Sequence, residues 1–259
     1  MPDHEPLLSV VIPVRNEAFN IAPLVAEIEV ALATIHHEII YVDDGSTDAT
    51  PRILAEQRAV APVIVRRHRT ACGQSAAIVT GVRVARGTWI ATLDGDGQND
   101  PADIPALFAQ ARADDDARDG EQTQPLADRG SGWVLTAGHR VTRRDTRTKR
   151  LSSRLANAIR ARLLGDATPD TGCGLKVFRR DAFLALPHFD HMHRYLPALF
   201  IRAGGRVVSV PVNHRPRLRG ASNYGTLDRL WVGIFDLAGV FWLQRRWQRP
   251  VVETLDETP

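Results

Sequence analysis

The sequence predicts an α/β protein with an open, mostly parallel central sheet flanked by helices. Three observations point there. Short apolar runs alternate with helix-period segments through the first hundred residues, which implies parallel strands joined by right-handed crossovers. The runs are apolar on both faces, as strands buried beneath helices are. Acidic clusters close the second and fourth runs, at the strand ends where open α/β sheets bind ligands.

The elements follow in order. Leu8 to Pro13 is apolar and β-branched, hence the first strand. Residues Ala18 to Ala33 carry Ile21, Leu24, Val25, Ile28 and Leu32 at helical spacing. Ile39 to Val42 is the second strand. Asp44-Gly45-Ser46-Thr47-Asp48 then turns into a helix ending near Arg58. Val63 to Val65 is a third strand, Gly73 to Ala85 a helix and Trp89 to Leu93 the fourth strand. The rhythm breaks after Phe108. Residues Ala111 to Gly132, with Asp114-Asp115-Asp116, read as a solvated, mobile loop. Trp133 to Gly138 is a strand, and a basic amphipathic helix follows over about 142–164. A glycine-rich turn and strand span Asp170 to Phe178, a helix runs near Arg194 to Ala203, and Val207 to Val212 is the last strand. One α/β domain is expected over residues 1–226, then an aromatic-rich helix and a frayed tail over 227–259.

Composition narrows the class. A chain of 259 residues can bury a full core without staples. Subtracting 30 acidic from 33 basic residues leaves +3, which does not demand nucleic acid. Cys72 and Cys173 have no C-x-x-C spacing, which argues against a disulfide framework or a zinc site and favours a reducing compartment. The polar start, Met1 to Glu5, carries no signal-peptide pattern, so a cytoplasmic protein is expected. The most apolar stretch, Leu230 to Leu243, has 14 residues. As a helix it would be roughly 21 Å long, against a hydrocarbon core of about 30 Å. Asp236 lies in its middle. A helix packed on the protein or on a membrane surface is expected, not a span.

The richest stretch is Asp94-Gly95-Asp96-Gly97-Gln98-Asn99-Asp100-Pro101. Asp94, Asp96 and the Gln98 amide offer only oxygen ligands, which suits a hard divalent ion holding a pyrophosphate. An acidic turn closing a strand is the plainer alternative. Asp44 could accept from a nucleobase or a ribose hydroxyl, while Thr47 and Asp48 are better read as helix caps. No G-x-G-x-x-G follows the first strand and no P-loop is present.

The ordered set Pro13-x-x-Asn16-Glu17, Asp43-Asp44-Gly45-Ser46-x-Asp48, Gly73-Gln74-Ser75-Ala76-Ala77 and Asp94 to Pro101 resembles family 2 glycosyltransferases of the GT-A fold. The likeness is strongest to dolichol-phosphate mannose synthases and bacterial polyprenyl-phosphate glycosyltransferases. Ala137 to Arg140, Asp170 to Arg180, His193 to Leu199, His214 to Arg217 and Ser222 to Gly225 extend it, so that it covers about residues 7–245. The resemblance implies an inverting hexosyltransferase, of the dolichyl-phosphate mannosyltransferase kind. It would move a sugar from a GDP- or UDP-sugar to a polyprenyl phosphate at the inner membrane face. Pro13, Arg15, Glu17, Val42 and Asp44 would form the nucleotide pocket, with Gly73, Gly95 and Asn223 also at the donor. Asp96 and Gln98 would hold Mg²⁺ or Mn²⁺, and Asp94 would contact the donor. Arg140 and Arg217 would hold phosphates. Three positions depart from the pattern: Asn223 replaces a common lysine, Ala71 an asparagine and Arg15 a tyrosine, which bears on donor preference.

The chemistry fits that reading. A departing diphosphate needs its charge neutralised, by a Lewis-acid metal and by arginines. A phosphate acceptor is already an anion and needs positioning, whereas a sugar hydroxyl needs a carboxylate base. Asp170 is the candidate base; equally, it could order the Thr171 to Gly174 bend. Two rivals therefore stand beside the main reading: a transferase to a glycan hydroxyl with Asp170 as base, and a non-catalytic nucleotide or nucleic-acid binder. Leu151, Leu155, Ile159 and Leu163 make one apolar stripe on the basic helix, which suits an anionic membrane surface, or a core-facing surface helix. Nucleic acid is not expected, because no aromatics interleave with the basic run. Trp231, Phe235, Trp242 and Trp247, with Arg245, Arg246 and Arg249, suit either a membrane interface or core packing. His36, His37, His68, His188 and His191 read as surface or packing residues.

Overall fold

The structure is a computed structural model and describes residues 5–119, 132–141, 160–166, 168–216 and 226–246. Arg217, Asn223, most of the basic helix and the tail after 246 lie outside the described residues. The elements are β1 Leu8–Val14, α1 Ala18–Ala31, β2 His37–Asp43, α2 Thr50–Val60, β3 Val63–Arg67, α3 Gln74–Val84, β4 Trp89–Thr92, α4 Ile104–Asp119, β5 Val134–Arg140, β6 Lys176–Arg179 and β7 Arg206–Val212. Further helices span Arg180–Leu184, Leu196–Arg202 and Thr226–Arg245.

Among the described residues, seven strands form one sheet in the order β3-β2-β1-β4-β6-β5-β7. The first four are mutually parallel. β6 runs antiparallel to both β4 and β5, and β7 is parallel to β5. Period-two alternation feeds two cores. Val10, Ile12, Ile39, Tyr41, Ala91 and Val177 pack with α1 and α4 on one face. Val11, Ile40, Val42, Ile90 and Phe178 pack with α3 and the helix Leu196–Arg202 on the other. Apolar faces on both sides explain why these strands read as continuous apolar runs.

The stretch expected to be a loop from Ala111 is helical to Asp119, a correction. Ala111 is fully buried. The acidic run is a helix face with partners: Arg206 reaches Asp114 at 2.7 Å and Arg179 reaches Asp115 at 2.9 Å. Composition alone hid those ion pairs. Thr47 and Asp48 are not the N-cap of α2 either; Ala49 is, with no side-chain bond. Asp48 accepts instead from the N–H of Thr50 at 2.9 Å, and Thr47 donates its N–H to Asn16 Oδ1 at 2.8 Å. The two strand-end loops thus brace each other.

The last helix has 20 residues, longer than its apolar stretch suggested. Leu237, Val240 and Phe241 pack it near Tyr195 and Ala198, while Ile234, Phe235 and Trp242 stay exposed. Asp236 pairs with His191 Nδ1 at 3.0 Å, which accounts for a charge inside an apolar run. Among the described residues, no helix is long and apolar enough to cross a membrane.

At the end of the sheet remote from the acidic loop, Glu38 ties β1 and β2 to the turn that leads into β4. It accepts from Ser9 Oγ at 2.6 Å and from the Arg86 N–H at 2.7 Å, and Arg86 Nε lies 3.1 Å away. Burial pushes this carboxyl up, but the bonds from Ser9 and Arg86 outweigh it and hold it below the ordinary glutamate range. Its stabilisation is therefore complete above that range and lost as pH falls through the lowered folded value. Glu38→Gln should cost about 2 kcal/mol near neutral pH, and denaturant titrations should show the deficit shrinking as the medium is acidified below the ordinary glutamate value.

Candidate active site

The ends of β1, β2 and β4 share one edge, and the order reverses between β1 and β4, the switch point where open sheets take ligands. The acidic loop leaves β4 there. Asp94 is placed from three sides. Its N–H donates to Asn99 Oδ1 at 3.2 Å, and its Oδ1 accepts from Gln74 Nε2 at 2.8 Å. Its carboxylate occupies the space a β-carbon at residue 174 would need, so a larger residue there would have to displace Asp94. Thr92 Oγ1 holds that glycine by donating to its carbonyl at 2.7 Å. Burial and the neighbouring Asp96 raise the Asp94 pKa, against the pull of Lys176, Gln74 and Arg140.

Asp96 and Gln98 lie half-buried in the following turn, where the Gln98 N–H donates to Asp96 Oδ1 at 3.1 Å. The loop is clamped from the far side by the chain after β7. Arg215 donates its N–H to Gln98 O at 3.0 Å and its Nη2 to Asp100 at 2.6 Å, and Asn213 N–H reaches Asp103 at 2.7 Å. Sequence reasoning missed Arg215 as a positioning residue; its place two residues before Arg217 was the signal.

Asp44 is nearly buried and its oxygens serve the protein. Oδ1 accepts from the Cys72 N–H at 2.7 Å and meets His68 Nδ1 at 2.7 Å; Oδ2 accepts from the Gly73 N–H at 2.8 Å. Gly45, at φ 68°, lets the Thr70–Ala71 backbone close over this turn. Val42 stands next to the end of β2 with its side chain fully buried in the core. Pro13 lines the cleft beside Asp94, Arg15 is exposed, and Glu17 heads α1, accepting from Asn20 at 2.6 Å. Gly95 is buried against Val14 and Gly73 heads α3.

Arg140, at the end of β5, forms a two-pronged ion pair with Asp170: Nε to Oδ2 at 2.6 Å and Nη2 to Oδ1 at 2.8 Å. That pair raises the Arg140 pKa despite burial. Both Asp170 oxygens accept from the Arg140 guanidinium. Lys176, His193 and Gln74 complete the cleft at Asp94; all three stood in quoted motifs without a role. Asp44, His68 and Cys72 also bring ligand-type atoms within 4.8 Å of one another, a closeness that the hydrogen bonds to Asp44 already explain. The donor set Asp96 and Gln98 is all oxygen and fits a hard divalent cation better.

Glycosyl transferase family 2 matches residues 9–186. The chain belongs to that family. It is 34% identical over 251 residues to the dodecaprenyl-phosphate galacturonate synthase of Rhizobium johnstonii, covering 94% of this chain and 69% of that protein. It is 32% identical over 228 residues to the undecaprenyl-phosphate 4-deoxy-4-formamido-L-arabinose transferase of Edwardsiella ictaluri, covering 85% and 63%. The chain thus spans about two thirds of the length of these relatives. Glucosyl-3-phosphoglycerate synthase from Mycobacterium tuberculosis, solved with Mn²⁺ and UDP-glucose, shares the fold: TM-score 0.59 at 19% identity, covering 92% of this chain and 79% of that one. The fold is GT-A, as the sequence resemblance implied.

Because Asp44 pins the 68–73 loop, Asp44→Asn should cost about 1–3 kcal/mol and speed amide exchange at Cys72 and Gly73. Bonds from Cys72, His68 and Gly73 outweigh burial and hold this carboxyl low. The deficit should be full near neutral pH and fade as pH drops through the lowered value. Unchanged exchange at those two amides would contradict the assignment.

Proposed function

We propose that this chain transfers one sugar from a nucleoside-diphosphate sugar, UDP- or GDP-linked, to a polyprenyl phosphate. The observation that carries the reading is the paired carboxylates at the switch point, positioned by Gln74, Asn99 and Gly174. The relatives support the acceptor, since both are named for polyprenyl phosphates. Their sugars are galacturonate and formamido-arabinose, which favours neither mannose nor any dolichyl-type specificity here. UDP and Mn²⁺ accompany the glucosyl-3-phosphoglycerate synthase; by analogy they are the first nucleotide and metal to try.

In this reading Asp96 and Gln98 hold Mg²⁺ or Mn²⁺, which when bound neutralises charge on the departing diphosphate. Asp94 orients the donor from beneath. Arg140, set by Asp170, faces a phosphate with a preorganised fork, and Arg217 adds a second cation. An acceptor phosphate oxygen attacks the anomeric carbon. The new C–O bond forms as the bond to the diphosphate breaks, with inversion. No base is required, because the nucleophile arrives as an anion.

Transfer to a glycan hydroxyl would need Asp170 as base, and its engagement with Arg140 argues against that role. The exposed Ile234, Phe235 and Trp242 on the last helix, beside Arg245 and Arg246, suit contact with an anionic membrane surface at the cytoplasmic face, where a polyprenyl phosphate would be met.

Asp96→Ala should lower transfer at least about 100-fold with an unchanged melting temperature; near-normal turnover in a folded mutant would reject the metal role. Asp170→Asn, assayed with a polyprenyl phosphate and with an oligosaccharide, should weaken the phosphate reaction through KM. Transfer to the oligosaccharide by the wild type, abolished in the mutant, would favour the hydroxyl reading.

A further inference from the structure

His68 follows β3 and sits between the end of β2 and helix α3. Its backbone N–H donates to Asp43 O at 2.9 Å. Both ring nitrogens are engaged: Nδ1 meets Asp44 Oδ1 at 2.7 Å, and Nε2 meets Thr80 Oγ1 on α3 at 2.9 Å. The side chain is 15% exposed, and an anchor at each end gives the ring one orientation. Burial works against charge on Asp44, but the bonds from Cys72, His68 and Gly73 outweigh it, so the group is a carboxylate. A carboxylate only accepts. The proton between His68 and Asp44 therefore belongs to Nδ1.

The donors to Asp44 are unevenly shared. Each carboxylate oxygen has about two acceptor positions. Oδ1 takes the Cys72 N–H at 2.7 Å and the His68 ring, and is full. Oδ2 takes the Gly73 N–H at 2.8 Å and keeps one position open. The Asp44 N–H donates to Val14 O at 2.8 Å, which holds the residue against the end of β1 at the switch point. Without His68, both oxygens would have a position to offer. His68 is what leaves the carboxylate with a single one.

Resting on the transferase reading above, we infer that His68 is a specificity-determining residue, which selects a uridine donor over a guanosine donor by closing Asp44 Oδ1. Uracil presents one ring N–H between two carbonyls, and one open acceptor satisfies it. Guanine presents two adjacent donors, the ring N–H and the exocyclic amine, which pair with both oxygens of one carboxylate. Here one of them would face an oxygen that is already full. Cytosine has a bare ring nitrogen where uracil has its N–H, and would set lone pair against lone pair. A site that leaves a base's polar group unmatched rejects that base.

The test is calorimetric titration of the protein with UDP, GDP and CDP in the presence of Mn²⁺. Wild type should bind UDP about 10- to 100-fold more tightly than GDP, the cost of one unmatched hydrogen-bonding group, and CDP should be rejected as well. His68→Leu should bring the UDP-to-GDP ratio to within a few-fold. His68→Asn, whose side-chain amide can still donate near the Nδ1 position, should retain most of it. Thr80→Val keeps the ring but removes its outer anchor, and should narrow the ratio part-way. In wild type, ¹⁵N spectra of the His68 ring should show Nδ1 carrying its proton; a bare Nδ1 would contradict the inference without any variant. Wild type binding GDP as tightly as UDP would overturn the inference while leaving sugar transfer standing. A ratio that survives in folded His68→Leu would overturn the role of His68. Binding of none of the three nucleotides would remove both readings.

Discussion

The site depends on one close approach, that of the Asp94 carboxylate to the Gly174 backbone. It joins the end of parallel β4 to the turn before antiparallel β6. A residue with a β-carbon at 174 would collide with the carboxylate, and Thr92 holds the same glycine through its carbonyl. The two halves of the chain therefore meet at an acid. Residues before Pro101 bring the carboxylates; residues after 133 bring Arg140, Asp170, Lys176 and the Arg215 clamp. Neither half holds the full constellation.

This arrangement sorts the acids of the sheet edge by task. Asp43 and Asp44 look inward, to Ser46, Arg67, His68 and the Cys72 and Gly73 amides. Such carboxylates build the walls of a pocket. Asp94 and Asp96 lie in the mouth, close enough that Asp96 disfavours charge on Asp94. Like charges held together in this way call for a cation or a ligand dipole. The cost of keeping them is met by the packing of β1, β4 and β6, most of whose residues are buried.

Much of the fold was legible because burial on both faces turns parallel strands into plain apolar runs. The four strands from Leu8 to Leu93 and the helices between them lie where periodicity put them, within a few residues. The antiparallel insertion of β6 was not legible, since no local pattern tells Lys176–Arg179 which neighbour to choose. The acidic segment after Ala111 misled for a related reason: Asp114 and Asp115 are helical because Arg206 and Arg179, far along the chain, meet them. At the site, the residue types of the Asp94 loop announced oxygen-ligand chemistry. Pairing was hidden. Asp170 looked equally suited to catalysis or a turn, and only the distance to Arg140 gives it an orienting task. The resemblance gave Val42 a place in the nucleotide pocket; its side chain packs in the core.

The most direct measurement is a crystal structure of the protein soaked with UDP and Mn²⁺, with the ion located by its anomalous signal. The account predicts one strong peak within coordination distance of Asp96, touching the diphosphate. A peak at Asp44, His68 and Cys72, or nucleotide bound away from the β4 edge, would contradict it.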